Sequence, residues 1–310
     1  MKKILDFIET KGDGAYHCYK TKKISLDSTD TEVLNYDDKP ASTTKTSKIA
    51  ETDTSLIHKT LIDKRLIECS RPIFTYFLDG SRRVYKIDDM AIGKRIFPVL
   101  AGQIIVGCCE RKDRDTFKPY SYKHSIVLSL PDEFDVDDEG DHFCRLFCEE
   151  INDNLKQLSF VRDSGIELSK ILLYKTDKIN QKILGSDKDN YKNRGTAKIQ
   201  AEMTDEEQRM VTELCSNNKL DDENYLIKDG SLEYNPRFSN ASQSKRIMAR
   251  ENYRYVVGVS KSFDPELLPD FEGHKLSKTI AGLKPFERTK AYRYTCDANG
   301  VQYAVWYLRL

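Results

Sequence analysis

Two stretches of this chain share one pattern: "IFTYFLDGSRR" at residues 73–83 and "ENYLIKDGSLE" at residues 223–233. Each is an apolar run that ends in Asp-Gly-Ser, and the two acids are Asp79 and Asp229. Apolar runs of this kind are typical of buried strands. A charged side chain at the end of a buried strand is costly unless it is paired or bound to a metal. Two interpretations follow, namely a pair of metal-binding carboxylates or two ordinary Asp-Gly turns.

The composition is that of a globular protein, since 39% of the 310 residues are hydrophobic and 32% are charged. The eight cysteines form no C-x-x-C pair, which favours reduced thiols and a cytoplasmic location. No apolar run approaches the roughly 20 residues that a membrane helix needs. The net charge is zero, but residues 231–310 contain 13 basic and 8 acidic side chains. This uneven distribution of charge is compatible with a local basic surface that binds nucleic acid.

We expect residues 1–70 to form an N-terminal helix and a polar linker. The linker is "NYDDKPASTTKTSKIAETDTS" at 35–55, which is rich in Thr, Ser, Asp and Lys. A helix is predicted to follow at 56–68.

Strand-like runs dominate the chain after residue 70. They are "PIFTYFLD" (72–79), "RRVYKIDD" (82–89), "RIFPVLAGQIIVGCCER" (95–111), "KHSIVLSL" (123–130), "SKILLYKT" (169–176), "NYLIKDGS" (224–231), "YRYVVGVSKSF" (253–263), "KAYRYTC" (290–296) and "VQYAVWYLRL" (301–310). A tight turn at Gly80-Ser81 is predicted between the first two.

Helices are predicted between these strands. An acidic helix carries an apolar stripe of Phe143, Phe147 and Ile151. A second helix spans 204–216, with Thr204 as its N-cap, and a basic helix lies near 240–251. The predicted fold class is therefore α/β, with a mixed sheet flanked by helices.

The order of these elements favours an RNase H-like core with an inserted helical and strand segment. If the strands that carry Asp79 and Asp229 are parallel neighbours, both acids project into one crevice at the carboxyl ends of the strands. Two nearby carboxylates repel each other, and a divalent cation relieves that repulsion. Oxygen ligands favour Mg²⁺ or Mn²⁺.

A third carboxylate is expected on the helix that precedes the second strand. Stepping from Met203 by one helical turn reaches Glu206 or Glu207, of which Glu207 is preferred, while Glu202 is a further alternative. Glu207 has a competing structural interpretation, because it stands where a capping box with Thr204 places an acid.

The motifs "FLDGSRR", "RIFPVLAGQIIVG", "LIKDGSL", "VVGVSKSF" and "WYLRL" together resemble the NurA family of nucleases. The resemblance covers residues 71–310, with an insert at about 112–195. It implies an RNase H-like, manganese- or magnesium-dependent DNA nuclease with a two-metal site. It also implies Asp79, Asp229 and a helical Glu as ligands, with Lys261 after the strand at 253–260.

The same resemblance implies partners and a process. Members of the NurA family work with the hexameric ATPase HerA, so we expect a homodimer on a HerA-like ring, acting on DNA ends or in defence against phage DNA. The family's C-terminal portion is expected to lie beyond Leu310.

Basic residues near these motifs are candidate DNA ligands, although each has an alternative as an ordinary exposed charge. They are Arg82, Arg83, Lys245, Arg246, Arg250 and Lys261. Two other functions stay open: a catalytically inactive RNase H-like module that binds DNA or a partner, and a relative of the Argonaute slicers.

Overall fold

The structure is a computed structural model. It describes residues 2–12, 14–19, 24–25, 48–49, 57–59, 71–134, 140–176, 190–230, 232, 254–260, 270–271, 274–295 and 302–310. Over these residues the protein is mixed α/β, with a central sheet flanked by helices, and the predicted fold class is confirmed at this level.

The helices in the described part of the chain are α1 Lys2–Lys11, α2 Asp141–Leu155, α3 Ser159–Ser164, α4 Tyr191–Ser216 and α5 Leu276–Ala281, with a short 3-10 turn at Asp132–Phe134. No described helix has the length and apolar character needed to span a bilayer.

The strands are β1 Tyr16–Tyr19, β2 Ile24–Ser25, β3 Lys48–Ile49, β4 Ile57–Lys59, β5 Phe74–Ile92, β6 Arg95–Arg111, β7 Phe117–Pro131, β8 Lys170–Tyr174, β9 Tyr225–Asp229, β10 Val256–Val259, β11 Asp270–Phe271, β12 His274–Lys275, β13 Glu287–Thr289, β14 Tyr292–Thr295 and β15 Gln302–Val305.

The main sheet has the strand order β10-β9-β5-β6-β7-β8. Short connections join β5 to β6 and β6 to β7, so these neighbours are antiparallel hairpins. At one end β8 runs parallel to β7, and at the other β10 runs parallel to β9. The N-terminal strands β1 and β2 pair antiparallel with β5. Residues 112–195, expected to form an insert, thus contribute β7 and β8 to this sheet.

The chain divides into two compact units. The first comprises Met1–Tyr36, Leu78–Cys109 and Pro119–Met210; the second comprises Asp37–Phe77, Glu110–Lys118 and Val211–Leu310.

The first unit has a core in which α1 and α2 contribute apolar side chains beside those of the sheet. The predicted stripe of α2 is present, because Phe147 and Ile151 are buried and Phe143 is partly buried against the same core. The Phe147 ring stacks on Phe7 of α1, with centroids 5.5 Å apart.

Helix α4 approaches the sheet closely because two glycines leave room for it. A Cβ atom at Gly195 would lie 2.6 Å from Cδ1 of Leu100, and one at Gly102 would lie 2.6 Å from Cγ2 of Ile199. A side chain at either position would push the helix and the sheet apart.

The second unit contains the β9–β10 pair and two smaller sheets. Strand β13 pairs with β4, and β14 pairs with both β15 and β3. A small cluster of buried Leu276, Ile280 and Tyr292 joins α5 to β14. Tyr225 at the start of β9 donates its N–H to Ile73 O at 2.7 Å.

Three local predictions are wrong. No turn occurs at Gly80-Ser81, since β5 continues through both residues. Residues 57–59 form strand β4 rather than part of a helix, because they pair with β13. Thr204 is not an N-cap: α4 begins at Tyr191, and Thr204 Oγ1 donates to Gln200 O within the helix. The basic helix near 240–251 lies outside the described residues.

Candidate functional site

Asp79 and Gly80 lie inside β5, which passes through the Asp-Gly-Ser motif without a break. Leu78 is buried, Asp79 is exposed and Gly80 is half-buried. This alternation is that of an extended strand, so the turn interpretation does not apply to Asp79.

Glu207 of α4 packs against Gly80. A Cβ atom at position 80 would lie 3.2 Å from Cδ of Glu207 and 3.2 Å from Cγ of Met203, and closer still to Oε1 of Glu207. Glu207 is 4% exposed. The missing side chain at position 80 is therefore what lets a buried carboxylate lie directly against the strand, next in sequence to Asp79.

Asp79 and Glu207 nevertheless lie on opposite sides of β5. Successive residues of a strand project to opposite faces, so Asp79 points away from the side on which Glu207 packs. The two arginines that follow also lie on opposite sides of β5. Arg82 Nε donates to Gln200 Oε1 of α4, whereas Arg83 is exposed. Candidate residues that are close together in the sequence therefore project from opposite sides of the strand.

Glu202 and Glu206 are buried carboxylates with cationic partners. Lys170 Nζ lies 2.8 Å from Glu202 Oε2, and Lys123 Nζ lies 2.8 Å from Glu206 Oε2. Arg209 joins the two, because its Nη1 is 3.5 Å from Glu202 Oε1 and 2.5 Å from Glu206 Oε1. We call these five side chains the α4 charge network.

The electrostatics of Arg209 agree with this pairing. Burial by itself would lower the pKa of Arg209, but the Glu206 and Glu202 carboxylates outweigh it and raise that pKa. A cation that bound Glu206 would have to displace both Lys123 and Arg209. Of the three candidate glutamates, Glu207 is the one that lies against Gly80.

Asp229 is described in the second unit, as the last residue of β9. It is half-buried and is followed by Gly230, whose φ of 86° ends the strand. The preceding Lys228 is 5% exposed, and its Nζ donates to the main-chain O of Asp229 at 2.8 Å. The sequence did not single out this buried lysine, although a Lys inside an otherwise apolar "YLIKD" run is visible as an exception.

Four candidate DNA ligands lie outside the described residues: Lys245, Arg246, Arg250 and Lys261. Among the described residues, no group of three or more His, Cys, Asp or Glu side chains is arranged to hold a metal ion. The carboxylate oxygens suit Mg²⁺ or Mn²⁺ chemically, but in the first unit Asp79 and Glu207 do not share a face of β5.

The sequence also missed an aromatic and cationic cluster in the second unit. The Arg111 guanidinium lies over two rings, 5.0 Å from the centroid of Phe77 and 4.9 Å from that of Phe117. The two rings are 5.2 Å apart, edge to face at 71°. One signal was available, because Arg111 and Phe117 flank a short polar connection between two strands.

In comparisons with known proteins, no protein-family profile matches the chain, and no curated protein sequence matches it.

Proposed function

We propose that this chain is a metal-dependent DNA nuclease with an RNase H-like core. The element order supports the core: two hairpins build β5, β6 and β7, α4 follows, and β9 is the next strand. In the sheet β9 is the neighbour of β5, and β10 runs parallel to β9. Asp79 lies within β5, and Asp229 is the last residue of β9.

The observation that carries the proposal is the contact between Glu207 and Gly80. It places a buried carboxylate directly against the strand that carries Asp79. By the resemblance of the motifs, the proposed ligand set is Asp79, Glu207 and Asp229, with Lys261 near the scissile phosphate. Because Asp79 and Glu207 lie on opposite sides of β5, sharing one cation would require one of these two carboxylates to move. Glu206 is not included in the proposed ligand set, because its carboxylate already pairs with Lys123 and Arg209.

The chemistry follows from the donor set. Carboxylates of this kind bind Mg²⁺ or Mn²⁺, and such a cation, when bound, neutralises the charge that builds up on a phosphodiester during hydrolysis. Arg83 leaves β5 on the same face as Asp79 and would bind a neighbouring phosphate as a bidentate donor. The protein's own contribution is to fix these groups on a rigid strand.

The proposed location, partners and process rest on the resemblance of the sequence motifs to the NurA family. The protein would be a cytoplasmic homodimer that works with a HerA-like hexameric ATPase on DNA ends, either in repair or in defence against phage DNA.

The test is cleavage of an end-labelled linear duplex in Mn²⁺ by Asp79→Asn and Asp229→Asn. Both substitutions remove a charge and keep the shape of the side chain, so we expect cleavage to be lost while the thermal unfolding transition persists. The matched control is Asp153→Asn on α2, whose side chain is 78% exposed. Wild-type cleavage by either aspartate variant would refute the assignment.

A second function has one specific observation in its favour. Since Asp79 and Glu207 lie on opposite sides of β5, a catalytically inactive module of the same core, which binds DNA without cutting it, also agrees with the geometry. A titration of Mn²⁺ separates the two proposals, because the inactive module would bind labelled DNA and never shorten it.

A further inference from the structure

The β6–β7 hairpin carries a preformed stacking site in the second unit. The Arg111 guanidinium lies about equally far from the rings of Phe77 and Phe117, at 5.0 and 4.9 Å, and the rings pack edge to face. Cation–π contacts at this distance are attractive, and their strength grows as the cation loses water. The three side chains therefore hold one another in a fixed arrangement; we call them the hairpin stack.

The rings, rather than a hydrogen bond, account for the position of Arg111. Its Nε atom is buried and has no hydrogen-bond partner among the residues that the structure describes. A buried donor without a partner costs free energy. A hairpin that needed only a solvent-facing charge at position 111 would not desolvate it in this way, so the arrangement points to a role for the rings that Arg111 supports.

One ring of the hairpin stack is open to solvent. Phe117 is 46% exposed, although it begins a strand and rests on both Phe77 and Arg111. Such a ring is rigid because its inner side is packed, and it offers a flat apolar area to a ligand. Aromatic side chains presented in this way are the platforms on which unpaired nucleobases stack.

The hairpin around this ring carries a small excess of basic side chains. Within residues 110–118 the basic side chains are Arg111, Lys112, Arg114 and Lys118, and the acids are Glu110, Asp113 and Asp115. Lys112 Nζ pairs with Glu110 at 2.5 Å, and Asp113 Oδ1 accepts the N–H groups of Asp115 and Thr116, which lowers the pKa of Asp113. Arg114 and Lys118 are exposed cations that could contact a phosphate backbone.

We propose that the hairpin stack binds an unpaired base of single-stranded DNA through the exposed face of Phe117. The identity of the ligand rests on the proposed nuclease function, but its binding needs neither metal nor cleavage. Because a paired base keeps its faces covered by its neighbours, the stack selects single-stranded over duplex DNA.

The test measures binding in EDTA, by fluorescence anisotropy of an end-labelled oligothymidylate, its abasic counterpart and a blunt duplex of the same length. Phe117→Ala removes the platform, and loss of one stacked base should weaken oligothymidylate binding about 5- to 100-fold. Binding to the abasic strand and to the duplex should not change. Phe117→Trp keeps a stacking face and should bind as tightly as wild type or tighter.

The matched control is Phe160→Ala on α3, which removes another exposed phenylalanine, at 69% exposure, outside the hairpin. It should bind oligothymidylate like the wild-type protein. A thermal unfolding transition measured for each variant checks that the Phe117 substitutions leave the fold intact.

Three results would overturn the inference: no binding of oligothymidylate by the wild-type protein, equal binding of the abasic strand, or wild-type affinity in Phe117→Ala. A protein that binds as expected but never shortens the strand in Mn²⁺ would end the nuclease proposal and leave the stacking site standing. If the wild-type protein cleaves DNA and Phe117→Ala binds oligothymidylate as tightly as the wild type, the nuclease proposal stands and the stacking site is refuted.

Discussion

Replacing Gly80 with alanine moves the carboxylate of Glu207 without removing any charged group. The new methyl group would enter the space that this carboxylate occupies. Oε1 of Glu207 would have to retreat by about 1 Å to reach the 3.4 Å at which ordinary contact begins, while Cγ of Met203, at 3.2 Å, gives way by a few tenths.

The expected cost in stability is small. The atom that must move is the end of a flexible side chain, so overpacking should cost about 1 kcal/mol, at the low end for such changes. Alanine also restricts the unfolded chain more than glycine does, which offsets about 0.4–1 kcal/mol where the backbone is extended, as it is at Gly80. The free energy of unfolding of Gly80→Ala should therefore lie within about 1 kcal/mol of wild type.

The expected effect on cleavage is large. A displacement of about 1 Å at a reacting centre can cost on the order of a hundredfold in rate. We expect Gly80→Ala to lose about that much Mn²⁺-dependent cleavage of linear DNA, measured under single-turnover conditions. Its unfolding by urea, followed by circular dichroism, should remain cooperative.

The matched control is Gly107→Ala on β6. A Cβ atom at Gly107 meets nothing within 4 Å, so this variant adds the same methyl group to a strand without a clash. It should cleave and unfold like the wild-type protein. If Gly80→Ala cut DNA at the wild-type rate, Glu207 would have no place in the reaction, and the contact that carries the proposed function would be structural only.

Two further predictions concern stability and reactivity. Glu206→Gln removes the carboxylate that pairs with the half-exposed Lys123 and Arg209, although Arg209 keeps Glu202. Because solvent screens such pairs, the free energy of unfolding should fall by only about 1 kcal/mol in urea titrations; the same change at the exposed Glu213 should have no measurable effect. Burial, assisted by nearby carboxylates, raises the pKa of Cys18 to about 12. Because the thiolate is the nucleophile, Cys18 should be alkylated by iodoacetamide more slowly at mildly alkaline pH than the exposed Cys109, and peptide mass spectrometry that found Cys18 modified first would contradict the assigned burial.

Local sequence patterns were enough to find most elements of the main sheet. The strand at 95–111 was predicted with the bounds of β6, and Asp229 was predicted at the end of a strand, where β9 ends. The apolar stripe of α2 was also readable, because Phe143, Phe147 and Ile151 repeat at helical spacing. These features depend on residues close together in the chain, whose period fixes the face that is buried.

The turn at Gly80-Ser81 and the helix start at Thr204 were both predicted from short local signals, Asp-Gly and Thr-x-x-Glu, which the wider context can override. Gly80 instead lies within the continuous strand β5, with Glu207 packed against it. Helix α4 begins thirteen residues before Thr204, at Tyr191, where Asn190 Oδ1 accepts the N–H of Asn193.

Short-range sequence patterns are therefore sufficient to predict an α/β chain of strand-forming runs, with acids on two of them and three glutamates on one helix. Which of these glutamates reaches the strand depends on long-range packing. Lys123 and Glu206 are 83 residues apart in the chain, so no local period indicates that Glu206 is paired while Glu207 lies at Gly80. The same holds for Phe77, Arg111 and Phe117, which meet only because three strands bring them together, and long-range packing of this kind leaves no periodic trace in the sequence.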